Sequence, residues 1–252
     1  LYTPYFTFPI DDQRKSGFLT PHIAERDRTG LDITFPYYFN IAPNFDLTLE
    51  PRYMSKRGAQ VASDFRYLLP RTDGQLSFEY LPDDSLTNTA RSYINLQHET
   101  SFARNWQLVT GIEEVSDAAY FEDMGDSLSV TSLTHLNRFL DIGYFGQHWS
   151  VNTRFHNFQT IDALIPQIDL PYERVPQMLF EGNGGDGVVG FSYATELVNF
   201  DRNVGLTGWR FDSTQELSLR FGSAGMYLAP AVALRQTNYW LDEGPGIDDV
   251  LT

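Results

Sequence analysis

The 252-residue sequence predicts an all-β, antiparallel fold: a meander of long strands closing as a transmembrane barrel, or packing as a soluble sandwich. Two observations carry this. Apolar and polar residues alternate with a period of two through most of the chain, whereas the 3.6-residue period of an amphipathic helix is hard to find. Clusters of Gly, Pro, Asn, Asp and Ser interrupt the alternation at intervals of about ten residues, the spacing of a hairpin meander.

The N-terminal stretch "FPIDDQRKSGFLTP", residues 8–21, reads as two short strand-like runs, each carrying a proline. Proline removes a ladder hydrogen bond and belongs at sheet edges, so a weak edge is expected here. In "NFDLTLEPRY", Phe45, Leu47, Leu49, Pro51 and Tyr53 share one face, and Asp46, Thr48, Glu50 and Arg52 share the other. "VASDFRY", "QLSFEY", "WSVNTRF", "GFSYATEL" and "ELSLRF" repeat the pattern. Turn signals separate the runs at 55–58, 70–74, 83–88, 116–127, 181–187 and 201–205. About twelve strands are expected over residues 1–252.

Strands in sandwiches average five or six residues, whereas barrel strands need about 9–11, with aromatic girdles near their ends. The longer runs, and aromatics at run ends such as Tyr37, Tyr38, Tyr53, Tyr67, Tyr80, Trp106, Trp149 and Trp240, favour the barrel. Leu47, Leu49, Phe65, Tyr67, Leu217 and Leu219 are then expected to face lipid. Asp46, Glu50, Arg52, Asp64 and Arg66 are expected to face the lumen.

A formal charge of −15 with only 18 Lys and Arg argues against nucleic acid as a partner. No apolar run is long enough for a membrane-spanning helix. The chain has no cysteine, hence no disulfide framework. Leu1 falls inside a strand-like run without a basic leader, so an internal segment of a longer protein is expected. "GDGVVG" at 185–190 matches G-x-G-x-x-G, but a loop precedes it and a strand follows, so a hairpin turn is expected. His22, His98, His135, His148 and His156 lack metal-ligand spacing. The acidic loop with Asp117, Glu122, Asp123 and Asp126 is expected to be solvated rather than to hold a cation. Neither a catalytic residue nor a cofactor is expected.

"FPIDDQRKSGFLTP", "FPYYFNIAPNFDLTLEPRYMSKRG", "FRYL", "EYLP", "VSDAAYFEDMG", "LPYERVPQM" and "GWRFD" together resemble the LptD family, which assembles lipopolysaccharide in Gram-negative outer membranes. The resemblance runs from about Pro4 to about Leu241. It implies the first part of a barrel of about 26 strands. It implies also a periplasmic jelly-roll domain and C-terminal strands beyond this segment, and family cysteines that lie in those other parts. The implied partners are lipopolysaccharide, an LptE-type plug lipoprotein, the periplasmic Lpt bridge acting through the jelly-roll, and outer-membrane lipid.

In this family, cargo leaves through a seam between the first and last strands. That role falls on Pro4, Tyr5, Phe6, Thr7, Phe8, Pro9 and Pro21, whose prolines would delete ladder donors. Two other readings compete with a lipid-transport barrel. A passive porin or receptor barrel shares the alternation but needs no proline-bearing first strand, and a soluble β-sandwich adhesion or glycan-binding module would purify without detergent.

Overall fold

The computed structural model describes residues 14–125, 133–223 and 225–243. The lateral-gate residues Pro4 to Pro9, and Asp126 of the acidic loop, lie outside these. Among the described residues the chain forms seventeen strands, one short α-helix and one 3-10 turn at Gln167–Asp169. In chain order these are β1 (Gly17–Phe18), β2 (His22–Arg26), β3 (Gly30–Thr34), β4 (Tyr37–Ala42), β5 (Phe45–Met54), β6 (Gly58–Leu69), β7 (Thr72–Asp84), β8 (Thr89–Ala103) and β9 (Trp106–Val115). The helix α1 (Tyr120–Met124) follows, then β10 (His135–Phe145), β11 (Trp149–Thr160), β12 (Glu173–Gly185), β13 (Val189–Asp201), β14 (Leu206–Leu219), β15 (Phe221–Ser223), β16 (Met226–Leu228) and β17 (Ala231–Glu243). The pairings among β1 to β7 and among β9 to β17 are antiparallel.

The chain divides into two compact units, residues 1–96 with 115–132, and residues 97–114 with 133–252. The first has the strand order β1-β4-β5-β6-β7-β8, with β2 and β3 forming a hairpin beside β5. The second runs β8-β9-β10-β11-β12-β13-β14-β17, with β15 and β16 as a separate small hairpin. Strand β8 contributes residues 89–96 to one unit and 97–103 to the other.

Register turns the alternation into two unlike faces. In the first unit Leu47 lies opposite Phe65 and Phe65 opposite Leu76, while Asp46 lies opposite Arg66 and Arg66 opposite Gln75. Asp46, Glu50, Arg52, Asp64 and Arg66 therefore share one face of the sheet, and Leu47, Leu49, Phe65 and Tyr67 share the other. The burial profile is inverted relative to a soluble protein: Asp32, Gln60, Asp84 and Arg91 are at most 1% exposed, whereas Val61, Phe78 and Tyr80 are 40–46% exposed. A sandwich core would be apolar.

In the second unit, ring contacts run across the apolar face from strand to strand. Phe102 meets Trp106, Trp106 meets Tyr144 at 5.3 Å, and Tyr144 meets Trp149 at 4.5 Å. Trp149 then meets Phe180, and Phe180 meets Tyr193 at 4.8 Å. Six neighbouring strands, β8 to β13, thus share one aromatic band, the pattern of a girdle at a membrane interface. Tyr38, expected among the girdle residues, instead sends its hydroxyl to Asp46 on the polar face (3.2 Å). It lies opposite Thr48 in the register, on the polar side of the pleat. "GDGVVG" closes the β12–β13 hairpin. There Asp186 accepts the backbone N–H groups of Val189 and Val188, which hold its carboxyl below the ordinary range.

Candidate functional site: the first hairpin and the polar face behind it

β1 with β2, and β3 with β4, are two strands interrupted at the same level. Gly17 lies opposite Tyr38 and Phe18 opposite Tyr37, but His22 lies opposite Thr34, so the register shifts by one. Thr20 and Pro21 together face Phe35, which is a β-bulge. The interruption in the second strand has another cause. Its register with β5 is continuous, Thr34 opposite Arg52 and Tyr37 opposite Leu49.

What breaks there is hydrogen bonding. Leu19 N–H donates to the Pro36 carbonyl (2.9 Å), and Phe35 N–H donates to the Pro51 carbonyl (3.0 Å). In an antiparallel pair of this kind each residue normally returns a bond. Pro36 and Pro51 have no N–H, so neither return bond forms. Pro21, Pro36 and Pro51 thus stand at one level of the first three strands, one in a bulge and two deleting ladder bonds.

The sequence pattern alone does not place Pro36 and Pro51 at the weak edge. Pro51 falls within the alternating run of β5, where it reads as one more apolar position. The available signal was the even spacing of 21, 36 and 51, close to one hairpin length, but only the register brings the three to one level.

On the polar face, the expected lumenal residues fall into two groups. Toward the β4–β5 turn, Asp46 accepts two bonds from Arg66 (2.8 and 3.0 Å) and one from Arg14 (2.7 Å), while Asp64 accepts from Gln75 and Ser77 (2.6 and 3.0 Å). Toward the other end, Arg52 forms a two-pronged pair with Asp32 (2.9 and 2.6 Å) and also reaches Gln60 (3.2 Å). Glu50 forms no hydrogen bond or ion pair among the described residues and stands on the wall of a cavity of ≈ 610 Å³. His22, Thr34 and Pro36, from the interrupted hairpin, line the same cavity.

The cavity's roof is α1, from the loop expected to be a solvated turn. Five residues cannot sustain a helix by propensity, because nucleation fixes several residues before bonds repay it. Tertiary contacts hold this one. Tyr120, Phe121 and Met124 are at most 7% exposed. The Tyr120 hydroxyl donates to Glu79 (2.7 Å) and accepts from Gln60 (3.0 Å). Burial, and then Glu79, push the Tyr120 phenol well above its ordinary range, so it stays a donor.

Asp117, Glu122 and Asp123 of the loop are each paired with arginine, although Glu122 stays mostly exposed. Arg91 donates to both oxygens of Asp117 (2.8 and 2.7 Å), to Asp123 (2.8 Å) and to Asp84 (3.1 Å). Arg57 bridges Asp84 (2.6 Å) and Asp123 (2.9 Å), and Arg28 pairs with Asp123 and Glu122. The turns are stitched together as well, Lys56 N–H to the Thr29 carbonyl and Ser85 N–H to the Arg57 carbonyl. Among the described residues no group of three or more His, Asp or Glu could hold a metal ion.

Burial alone would raise the Asp123 carboxyl. The Arg91 hydrogen bond, the charge of Arg57 and the Arg28 bond outweigh it, and the net shift is downward. A depressed carboxylate contributes its full stabilisation above the unfolded value near 3.9, and loses it as pH falls through the folded value. Protease resistance of residues 117–125 is therefore expected to be flat from neutral pH to about pH 4 and to fall below that. Limited digestion with an acid-active protease in the full-length protein checks this. A loop that opens between pH 7 and 5 would contradict the assignment.

Comparison with known proteins gives one answer along the whole chain. A family model described as LPS transport system D matches residues 89–247, and one described as LptD protein matches residues 1–107. The LPS-assembly protein LptD of Nitrosococcus oceani is 41% identical over 256 residues, covering 100% of this chain and 35% of that protein. That of Alkalilimnicola ehrlichii is 38% identical over 258 residues, covering 98% and 33%. That of Thiobacillus denitrificans is 36% identical over 253 residues, covering 100% and 35%. The chain spans about a third of the length of these curated relatives.

Proposed function

The chain belongs to the LptD family of outer-membrane, non-enzymatic transport proteins, and from that premise we propose that it forms the opening part of a barrel that inserts lipopolysaccharide into the outer leaflet through a lateral gate at its first strand. The observation that carries this reading is the proline row: Pro21, Pro36 and Pro51 weaken pairing at one level of the first three strands. Each missing bond is worth only about 0.5–1.5 kcal/mol, but clustering them makes this hairpin easier to open than an uninterrupted one. Pro4 to Pro9 extend the gate on the sequence reading.

The inverted faces support the rest. Asp46, Glu50, Arg52, Asp64 and Arg66 line the lumen, where an LptE-type plug rests against polar side chains, and Leu47, Leu49, Phe65, Tyr67, Leu217 and Leu219 meet lipid. The periplasmic Lpt bridge delivers cargo through a jelly-roll domain outside this segment. A passive porin needs no weakened first hairpin.

Depleting the full-length protein from its native host is expected to stop newly made, pulse-labelled lipopolysaccharide from reaching the cell surface. A fall in small-solute uptake with lipopolysaccharide delivery intact would support the porin instead. In the same strain, photo-crosslinkers at Arg66 are expected to capture the plug and those at Leu47 to capture lipid. The reverse pattern would invert the faces.

A further inference from the structure

The ≈ 610 Å³ cavity lies within the usual range of ligand sites and is bounded on one side by the interrupted hairpin. Its walls are chemically mixed. Tyr93 stacks on Tyr120 (6.1 Å) and meets Phe121 edge-on (5.2 Å), giving an aromatic wall. The same lining carries acceptors with capacity to spare. Glu50 has no hydrogen-bond partner among the described residues, and Glu79 receives the Tyr120 and Gln60 bonds on one oxygen only. The guanidinium of Arg52 is already committed to Asp32, which Arg26 also approaches (3.5 Å).

Carboxylates therefore outnumber guanidiniums at the cavity by three to two. That balance disfavours phosphate, which needs uncommitted Arg or Lys. It suits hydroxyl donors, which a free carboxylate accepts, presented on a ring whose apolar face can lie against tyrosine. A ligand of that kind is a neutral sugar.

We infer that this cavity is a saccharide subsite, taking an unphosphorylated sugar of the lipopolysaccharide cargo between Tyr93 and Glu50, beneath α1 and against the inner side of the first hairpin. The inference rests on the lipopolysaccharide reading above and adds where part of the cargo is held. Because Thr34 and Pro36 line both the cavity and the weakened level of the sheet, a sugar seated here touches the segment that must part.

The test uses the full-length protein assembled with its plug in detergent. The probes are oligosaccharides released from the host's own lipopolysaccharide, delipidated and used both with and without their phosphates, and titration is followed by ligand-observed NMR. The wild-type protein is expected to bind the dephosphorylated probe at least as tightly as the phosphorylated one. Glu50→Leu is expected to weaken binding at least tenfold, and Thr48→Val, on the same face outside the cavity, to leave it unchanged.

Should Glu50→Leu fail to assemble, Glu50→Gln and Thr34→Val serve in its place, each with a several-fold loss expected. Absence of binding to the wild type at millimolar probe, equal binding by the cavity variants, or preference for the phosphorylated probe would each overturn the subsite. If such a result appears while depletion still blocks surface delivery, the subsite fails and the transport reading stands. If depletion leaves delivery intact, the transport reading itself fails.

Discussion

Replacing Arg91 with leucine is expected to destabilise the first unit by about 3–5 kcal/mol, the range for removing one partner of a buried ion pair. The side chain is 2% exposed and serves three carboxylates at once. Its loss leaves Asp84, fully buried, with Arg57 and the Leu86 N–H as remaining donors, and leaves Asp117 with only local ones. Arg91→Lys retains the charge but not the planar fork that grips both Asp117 oxygens, so an intermediate loss is expected. Pairing Arg91→Leu with Asp84→Asn should recover part of the cost, because the stranded charge goes with its partner.

The local consequence separates this network from a general contribution to stability. Arg91 anchors the loop at two points, through Asp117 before α1 and Asp123 within it. Residues 117–125 of Arg91→Leu should become protease-sensitive under conditions where β5 and β6 remain protected. Heat-modifiability of the full-length protein reads the global loss, and limited proteolysis reads the local one. A variant that melts early but keeps α1 protected to the melting point would show that the network supports the sheet rather than the loop.

The strands were legible because a sheet with one apolar and one polar face forces strict alternation. A run such as residues 45–53 encodes its two faces directly, and the register of β5 with β6 follows from it. The contacts that hold α1 were not legible. Residues 116–127 carry acids and small residues in a turn-like mixture, and nothing local says that Arg57 and Arg91, distant in sequence, neutralise them. Five helical residues are also too few to show a period. Glu50 shows the same limit at the candidate site: its face follows from alternation, but its lack of a partner depends on Arg52 having taken Asp32, a choice visible only when β3 lies beside β5.

Substituting threonine for Pro36 and Pro51 together is expected to slow lipopolysaccharide delivery to the cell surface without impairing barrel assembly. Each substitution supplies an N–H where the register already places an acceptor, the Leu19 carbonyl for Pro36 and the Phe35 carbonyl for Pro51. A restored bond contributes about 0.5–1.5 kcal/mol. Losing a proline also frees the unfolded chain, at a cost of about 0.4–1 kcal/mol each, so the two effects nearly cancel in global stability and a melting curve is a poor readout. They do not cancel in local opening, where the chain stays folded on both sides and only the ladder bond matters. Hydrogen exchange at the first hairpin should therefore slow by roughly two- to tenfold for each restored bond. Delivery should fall in step if opening of this hairpin limits transport. Pro21→Thr is the internal control: Pro21 sits in the bulge beside Thr20, and a donor added there has no ladder acceptor fixed by the register, so exchange should change less. Slower exchange in the double variant with delivery at the wild-type rate would place the limiting step away from this hairpin, and the proline row would then only shape the strand.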